Sequence, residues 1–261
     1  MSKFITYKNT QIHYTDSGKG TAIVLLHGFL ENTTMWQSLE TVLTTKYRVI
    51  CVDLLGHGQS ENMGYVHTMN QMAETVKAVL DELHILRCFL VGHSMGGYVS
   101  LAFATLFPNH VQGLVLLNST AKPDTPEKVN GRNRAIAVVK ENHKSFIRTS
   151  IPMLFPSMSR KIYREEILNL IKEALTTSQQ GVIAALEGMK IRKDRVALLS
   201  VDSYPKMMIL GKKDPVLAYE DLMEQTRNFP VERVSLENGH MSLIEDQEAT
   251  IQAIFSFLNK Y

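Results

Sequence analysis

Residues 92–97 read Gly-His-Ser-Met-Gly-Gly and follow the apolar run Cys88-Phe89-Leu90-Val91 directly. A strand-length apolar run ending in Gly-x-Ser-x-Gly, with the helix-compatible stretch Tyr98 to Phe107 after it, marks Ser94 as a candidate nucleophile on a sharp strand-to-helix turn. The flanking glycines have a steric role. A Cβ at Gly92 or Gly96 would meet the neighbouring strand or helix where the chain doubles back. A serine hydroxyl is nearly inert at neutral pH until an imidazole takes its proton, and the imidazole needs a carboxylate to hold its tautomer.

The partners are sought downstream, acid first and histidine second. Asp214 follows the strand-like run Lys206 to Gly211, and His240 ends Glu237-Asn238-Gly239-His240 after the run Val231 to Leu236. Ser94, Asp214 and His240 thus all fall at carboxyl ends of predicted strands, where open parallel sheets place their sites. Competing readings exist. Asp214 precedes a proline and could simply start a turn, and His240 is one of nine histidines. His93, adjacent to Ser94 on a tight turn, points away and is read as structural; His27 and His57 sit beside glycines and are read as shaping their loops. Attack on a carbonyl also needs two N–H donors for the developing negative charge. The spacing assigns them to Met95, after the nucleophile, and to Phe29, in the loop after the strand Ala22 to Leu26, where Gly28 allows close approach.

These residues need a scaffold, and the hydrophobic pattern predicts one. Phe4 to Tyr7 and Gln11 to Tyr14 alternate around the turn Asn9-Thr10, as in an antiparallel hairpin. Strands are predicted near 22–26, 47–52, 87–91, 113–117, 206–210 and 231–236, with helices over Met69 to Leu83, Met95 to Phe107 and Leu217 to Asn228. Such alternation signals a parallel sheet with crossover helices. From about Ala121 to Arg192 no strand pattern occurs; helices are predicted over Arg134 to Ile147, Lys161 to Thr176 and Gly181 to Met189.

Five segments together resemble the α/β-hydrolase superfamily: His27-Gly28-Phe29, Asp53 to Ser60, Gly92 to Gly97, Gly211 to Asp214, and Asn238-Gly239-His240. The resemblance covers nearly the whole chain. It implies an α/β fold, a mostly parallel eight-stranded sheet flanked by helices with an inserted helical cap: residues 1–120 and 193–261 as the core and 121–192 as the cap. By the same resemblance Asp53 to Ser60 is a structural signature, and Arg192 and Arg195 belong to the return from cap to core. Leu154, Phe155 and Met158 are candidate linings of an acyl or aryl pocket. The strands of Cys51 and Cys88 would be separated by a third, so no disulfide is expected.

The implied activity is a serine hydrolase cleaving a carboxylic ester or related acyl substrate through an acyl-enzyme. Serine at this position argues against the dehalogenases, epoxide hydrolases and cysteine-dependent lactone hydrolases of the superfamily. C–C bond hydrolase, thioesterase, enol-lactonase, haloperoxidase-like and lyase chemistries share the triad and stay open. So does a non-catalytic ligand-binding homologue, since fold alone does not imply turnover. By the same resemblance, the single Gly28 before Phe29 implies medium acyl chains rather than bulky tertiary-alcohol esters.

Composition narrows the rest. At 261 residues and 44% hydrophobic, the chain suits one large α/β domain with an insertion. No apolar run approaches the roughly 20 residues needed to span a bilayer, and no secretory signal pattern opens the chain. Two cysteines in core strands suggest a reducing, cytoplasmic location. No metal-type Cys/His cluster, phosphate loop or dinucleotide fingerprint occurs, so no cofactor or metal is expected. A net charge of +2 argues against nucleic acid or membrane as partner and leaves a small-molecule acyl or ester substrate; oligomeric state is not legible. Residues 121–195 do carry 15 Lys and Arg against 8 Asp and Glu. That excess could steer an anionic substrate; a solvated helical surface is the preferred reading.

Overall fold

The computed structural model describes residues 2–261. Eight strands form one sheet: β1 (Ser2–Tyr7), β2 (Thr10–Gly18), β3 (Ala22–Leu26), β4 (Arg48–Val52), β5 (Cys88–His93), β6 (Val111–Leu117), β7 (Lys206–Gly211) and β8 (Glu232–Leu236). Their spatial order is β1-β2-β4-β3-β5-β6-β7-β8. The β1–β2 and β2–β4 ladders are antiparallel and all others parallel. The fold is the expected α/β sheet flanked by helices.

The helices are α1 (Gln37–Leu43), α2 (Met69–Glu82), α3 (Met95–Leu106), α4 (Pro126–Ser150), α5 (Ser159–Ile162), α6 (Arg164–Ala174), α7 (Gln179–Lys190), α8 (Tyr219–Thr226), α9 (Ser242–Glu245) and α10 (Gln247–Lys260). Successive residues of a strand face opposite sides of the sheet, and here both sides are covered. Val24 and Leu26 of β3 pack with α2 and α3, while Ile23 and Leu25 pack with Leu39 and Leu43 of α1 and with Ile254 and Phe257 of α10. That double coverage explains why the central strands read as unbroken apolar runs. Cys51 in β4 and Cys88 in β5 are separated by β3, and both thiols are free and buried. Among the described residues no helix is long and apolar enough to cross a membrane.

Between β6 and β7 the chain is helical. Thr125 caps α4 through Lys128 N–H, and Pro126 occupies the first turn, where its missing N–H is harmless. These signals start α4 eight residues before the predicted Arg134. Asn142 leaves helical geometry (φ −155°, ψ 85°) and accepts from Ser145 N–H at 2.9 Å, which kinks α4 in the middle. The helix predicted over Lys161 to Thr176 is broken at Tyr163, whose hydroxyl donates to the Glu245 carbonyl at 3.1 Å. Tertiary anchoring there overrides local helical periodicity.

Candidate active site

Ser94 sits between β5 and α3 with φ 48° and ψ −112°, a conformation an L-residue adopts only under constraint. Three hydrogen bonds impose it. Ser94 N–H donates to the Leu117 carbonyl at 2.9 Å, and the Ser94 carbonyl accepts from Ser119 Oγ at 2.8 Å and Gly97 N–H at 3.0 Å. A Cβ on Gly92 would fall on the Gly96 and Gly97 backbone, and one on Gly96 would fall on the Leu26 carbonyl of β3. The turn can therefore pass only with glycine at both places.

The three sequence candidates meet. Ser94 Oγ lies 2.9 Å from His240 Nε2, and His240 Nδ1 lies 2.7 Å from Asp214 Oδ2. Asp214 Oδ1 accepts from Val216 N–H at 2.8 Å and Leu217 N–H at 3.0 Å, and Oδ2 also accepts from Asn118 Nδ2 at 3.2 Å. Burial acts to raise the Asp214 pKa. The His240 ring and the two backbone N–H groups outweigh it and hold the carboxyl below its ordinary range. An ionised Asp214 fixes a proton on Nδ1 and leaves Nε2 free to take one from Ser94.

Two further residues carry this geometry and are not nominated by sequence. Asn118, at the end of β6 with φ 44°, also donates to the Gly239 carbonyl at 3.1 Å and accepts from Ser242 Oγ at 2.5 Å. It ties the Asp214 loop to the His240 loop. Its place at the end of a predicted central strand is the one signal that could have found it. Glu31, buried in the loop after β3, accepts from His93 Nδ1 at 2.8 Å. His93 does point away from Ser94, toward Glu31. His27 and His57 contact their own loops: His27 Nδ1 donates to the Gly28 carbonyl at 2.7 Å and its Nε2 accepts from Leu54 N–H at 2.9 Å, while His57 Nδ1 faces the Leu55 carbonyl at 3.1 Å. Asp53 accepts from Thr33 and Gln59 N–H, which ties the loop after β4 to the segment that follows β3.

Met95 opens α3, so its N–H has no helical acceptor one turn back. Phe29 lies in the turn after β3, and among the described residues neither amide meets a backbone acceptor. Ser94 and His240 border a cavity of about 110 Å³, walled by Phe29, Tyr98, Ile151 and Leu154. Leu154, one of the three candidate linings, reaches it. Phe155 and Met158 do not. Phe155 is fully buried against Tyr163 at 6.2 Å between ring centroids, and Met158 is 85% exposed on the outer surface. Apolar character alone does not say which way a loop residue faces.

Among the described residues three basic side chains of the helical segment are paired, Lys190 with Glu187 as one. Arg132 and Arg192 both bind Asp124, Arg192 at 2.5 Å, and the Arg192 guanidinium lies 4.2 Å from the Tyr98 ring centroid. Among the described residues no group of three or more His, Cys, Asp and Glu is placed to hold a metal ion.

A family model described as alpha/beta hydrolase fold matches residues 21–247. The chain belongs to that family. It is 32% identical over 251 residues to the dihydrolipoyllysine-residue acetyltransferase component of an acetoin cleaving system from Pseudomonas putida. That match covers 93% of this chain and 64% of the relative, so the chain spans less than two thirds of its length. Against 3-oxoadipate enol-lactonase 2 of Acinetobacter baylyi the identity is 26% over 262 residues, covering 98% of this chain and 96% of the other. Among solved structures, a malate-bound thermophilic esterase from Thermogutta terrifontis superposes with a TM-score of 0.93 at 31% identity, covering 100% of this chain and 98% of that one.

Proposed function

We propose that this protein is a serine hydrolase that cleaves a small carboxylic ester, open-chain or cyclic, through an acyl-enzyme. The observation that carries the reading is the unbroken hydrogen-bonded chain from Ser94 through His240 to Asp214, with the serine on a strained turn beside a cavity. In this mechanism His240 Nε2 takes the Ser94 proton as Oγ attacks the substrate carbonyl. The Phe29 and Met95 N–H groups receive the oxyanion. His240 then protonates the departing alcohol, and the acyl group stays on Ser94 until a water, deprotonated by His240, releases it. The route uses only the chain's own groups and requires no cofactor.

Residues 121–192 act as the cap, and Leu154 with Ile151 bounds the acyl group. The similarity to an esterase and to an enol-lactonase, whose substrate is a cyclic ester by name, supports the same class. Two buried free cysteines suit a reducing, cytoplasmic location. The test is hydrolysis of p-nitrophenyl esters from acetate to decanoate by the wild type and Ser94→Ala. The reading requires turnover that the substitution abolishes. Activity equal in both proteins would remove Ser94 from the mechanism.

A further inference from the structure

Beside the nucleophile lies a buried ion pair that the hydrolytic mechanism does not use. The Glu31 and His93 side chains are each only 2% exposed. His93 Nδ1 faces Glu31 Oε2 at 2.8 Å, and His93 Nε2 faces the His240 carbonyl at 3.0 Å. Both ring nitrogens thus meet acceptors. A neutral imidazole has one N–H, so satisfying both requires the imidazolium, with Glu31 as its counter-charge. Glu31 Oε2 also accepts from Gly28 N–H at 2.6 Å, and Glu31 N–H donates to the Gly28 carbonyl at 3.3 Å. The carboxylate therefore closes the turn that presents Phe29.

Two side chains in this way join three loops: the one after β3 that carries Phe29, the turn after β5 that carries Ser94, and the one after β8 that carries His240. Stability alone does not account for them. An apolar pair of similar volume would serve a core as well or better, because burying two charges is expensive. Glu31 and His93 also border the same cavity as Ser94, and Glu31 Oε1 has no protein partner among the described residues.

We propose that the Glu31–His93 pair is a positioning element that holds the Phe29 amide and the His240 loop in register with Ser94 Oγ. The proposal rests on the roles given above to Ser94, His240 and Phe29. The groups that face His93 are Glu31 from the loop after β3, Asp214 from the loop after β7, the buried His27, and the His240 ring at 5.1 Å between centroids. Burial opposes the imidazolium. The Glu31 charge, the Glu31 hydrogen bond and the His240 carbonyl outweigh it and hold the proton above the ordinary histidine range.

Three variants and one spectrum test this. Glu31→Ala and His93→Phe should lower kcat by about 10- to 100-fold on the best ester, with KM within about threefold, because sub-ångström misplacement of donor and base acts on the transition state. Glu31→Gln can set its amide oxygen where Oε2 stands and still accept from both Gly28 N–H and a His93 Nδ1–H, so it should recover most of what Glu31→Ala loses. Thermal melts confirm that each variant is folded. Losses confined to KM, kcat within threefold of wild type in both disruptive variants, or no recovery in Glu31→Gln would overturn the proposal. Independently of turnover and of variant folding, ¹⁵N spectra of histidine-labelled wild type at pH 8 should show both His93 nitrogens protonated, whereas an ordinary histidine with pKa near about 6.5 is neutral there. A neutral His93 ring would also overturn it. Absence of any Ser94-dependent ester hydrolysis would instead sink the hydrolase reading, and the spectrum would still judge the ion pair.

Discussion

Replacing Asp214 with Asn alters one atom of the side chain and should nearly abolish turnover. Asp214 receives four donors: Val216 and Leu217 N–H on Oδ1, and Asn118 Nδ2 with His240 Nδ1 on Oδ2. An amide offers a single acceptor oxygen, so its NH2 must face two of these donors. The two backbone N–H groups cannot turn round, while His240 can exchange tautomers. The lower-energy arrangement therefore keeps the oxygen on Val216 and Leu217 and turns the NH2 toward His240. Nδ1 then becomes an acceptor, the ring proton moves to Nε2, and Nε2 can no longer take the Ser94 proton. A reversed tautomer costs about 10⁴ in kcat, or about 5.5 kcal/mol of transition-state stabilisation. Stability should change much less, by about 1–2 kcal/mol, because two backbone hydrogen bonds survive and a buried charge is removed. The assay is kcat and KM on a short p-nitrophenyl ester beside a thermal melt. A folded Asp214→Asn protein within tenfold of wild type would refute the argument that this carboxylate sets the tautomer.

Three other outcomes follow from the same contacts. Asp124→Ala leaves the Arg192 guanidinium, whose side chain is 3% exposed, buried without its partner; the expected loss is about 3–5 kcal/mol in urea unfolding, and a loss under about 1 kcal/mol would contradict it. Burial pushes His57 down to about 3 and His67 down to about 4, so the folded state binds fewer protons than the unfolded one. Their contribution is complete above the unfolded value near about 6.5 and is lost as pH falls toward those folded values, at up to about 1.4 kcal/mol per pH unit for each residue. Urea midpoints should therefore drop between pH 7 and pH 5, and a flat or rising profile would exclude this burial effect. Leu154→Ala opens the cavity wall and should move the chain-length optimum to longer esters; an unchanged optimum would place the acyl group elsewhere.

The sheet and the hydrogen-bonded trio are legible in sequence for a shared physical reason. Central parallel strands are covered on both faces and read as apolar runs, and Ser94, Asp214 and His240 each follow such a run. Glycines at 92 and 96 add a steric signature that few other turns need. Asn118 also follows such a run, ending at Leu117, but its residue type names no role there, and Glu31 lacks even that mark. Each is defined by a partner in a distant loop, His93 for one and Asp214 for the other, and no spacing along the chain encodes that contact. The helical segment was harder for a related reason. Helical periodicity runs through Asn142 and Tyr163, while a side-chain bond to Ser145 at one and an anchor to Glu245 at the other break the helix. Phe155 and Met158 are both apolar, yet one faces the core and the other the solvent.

The central claim, that Ser94 is an activated nucleophile, is tested most directly by intact-mass measurement after treatment with a fluorophosphonate. One covalent adduct per chain is expected, mapped to Ser94 and absent from Ser94→Ala and, on the same timescale, from His240→Ala. An unlabelled wild type, or an adduct that persists in Ser94→Ala, would contradict it.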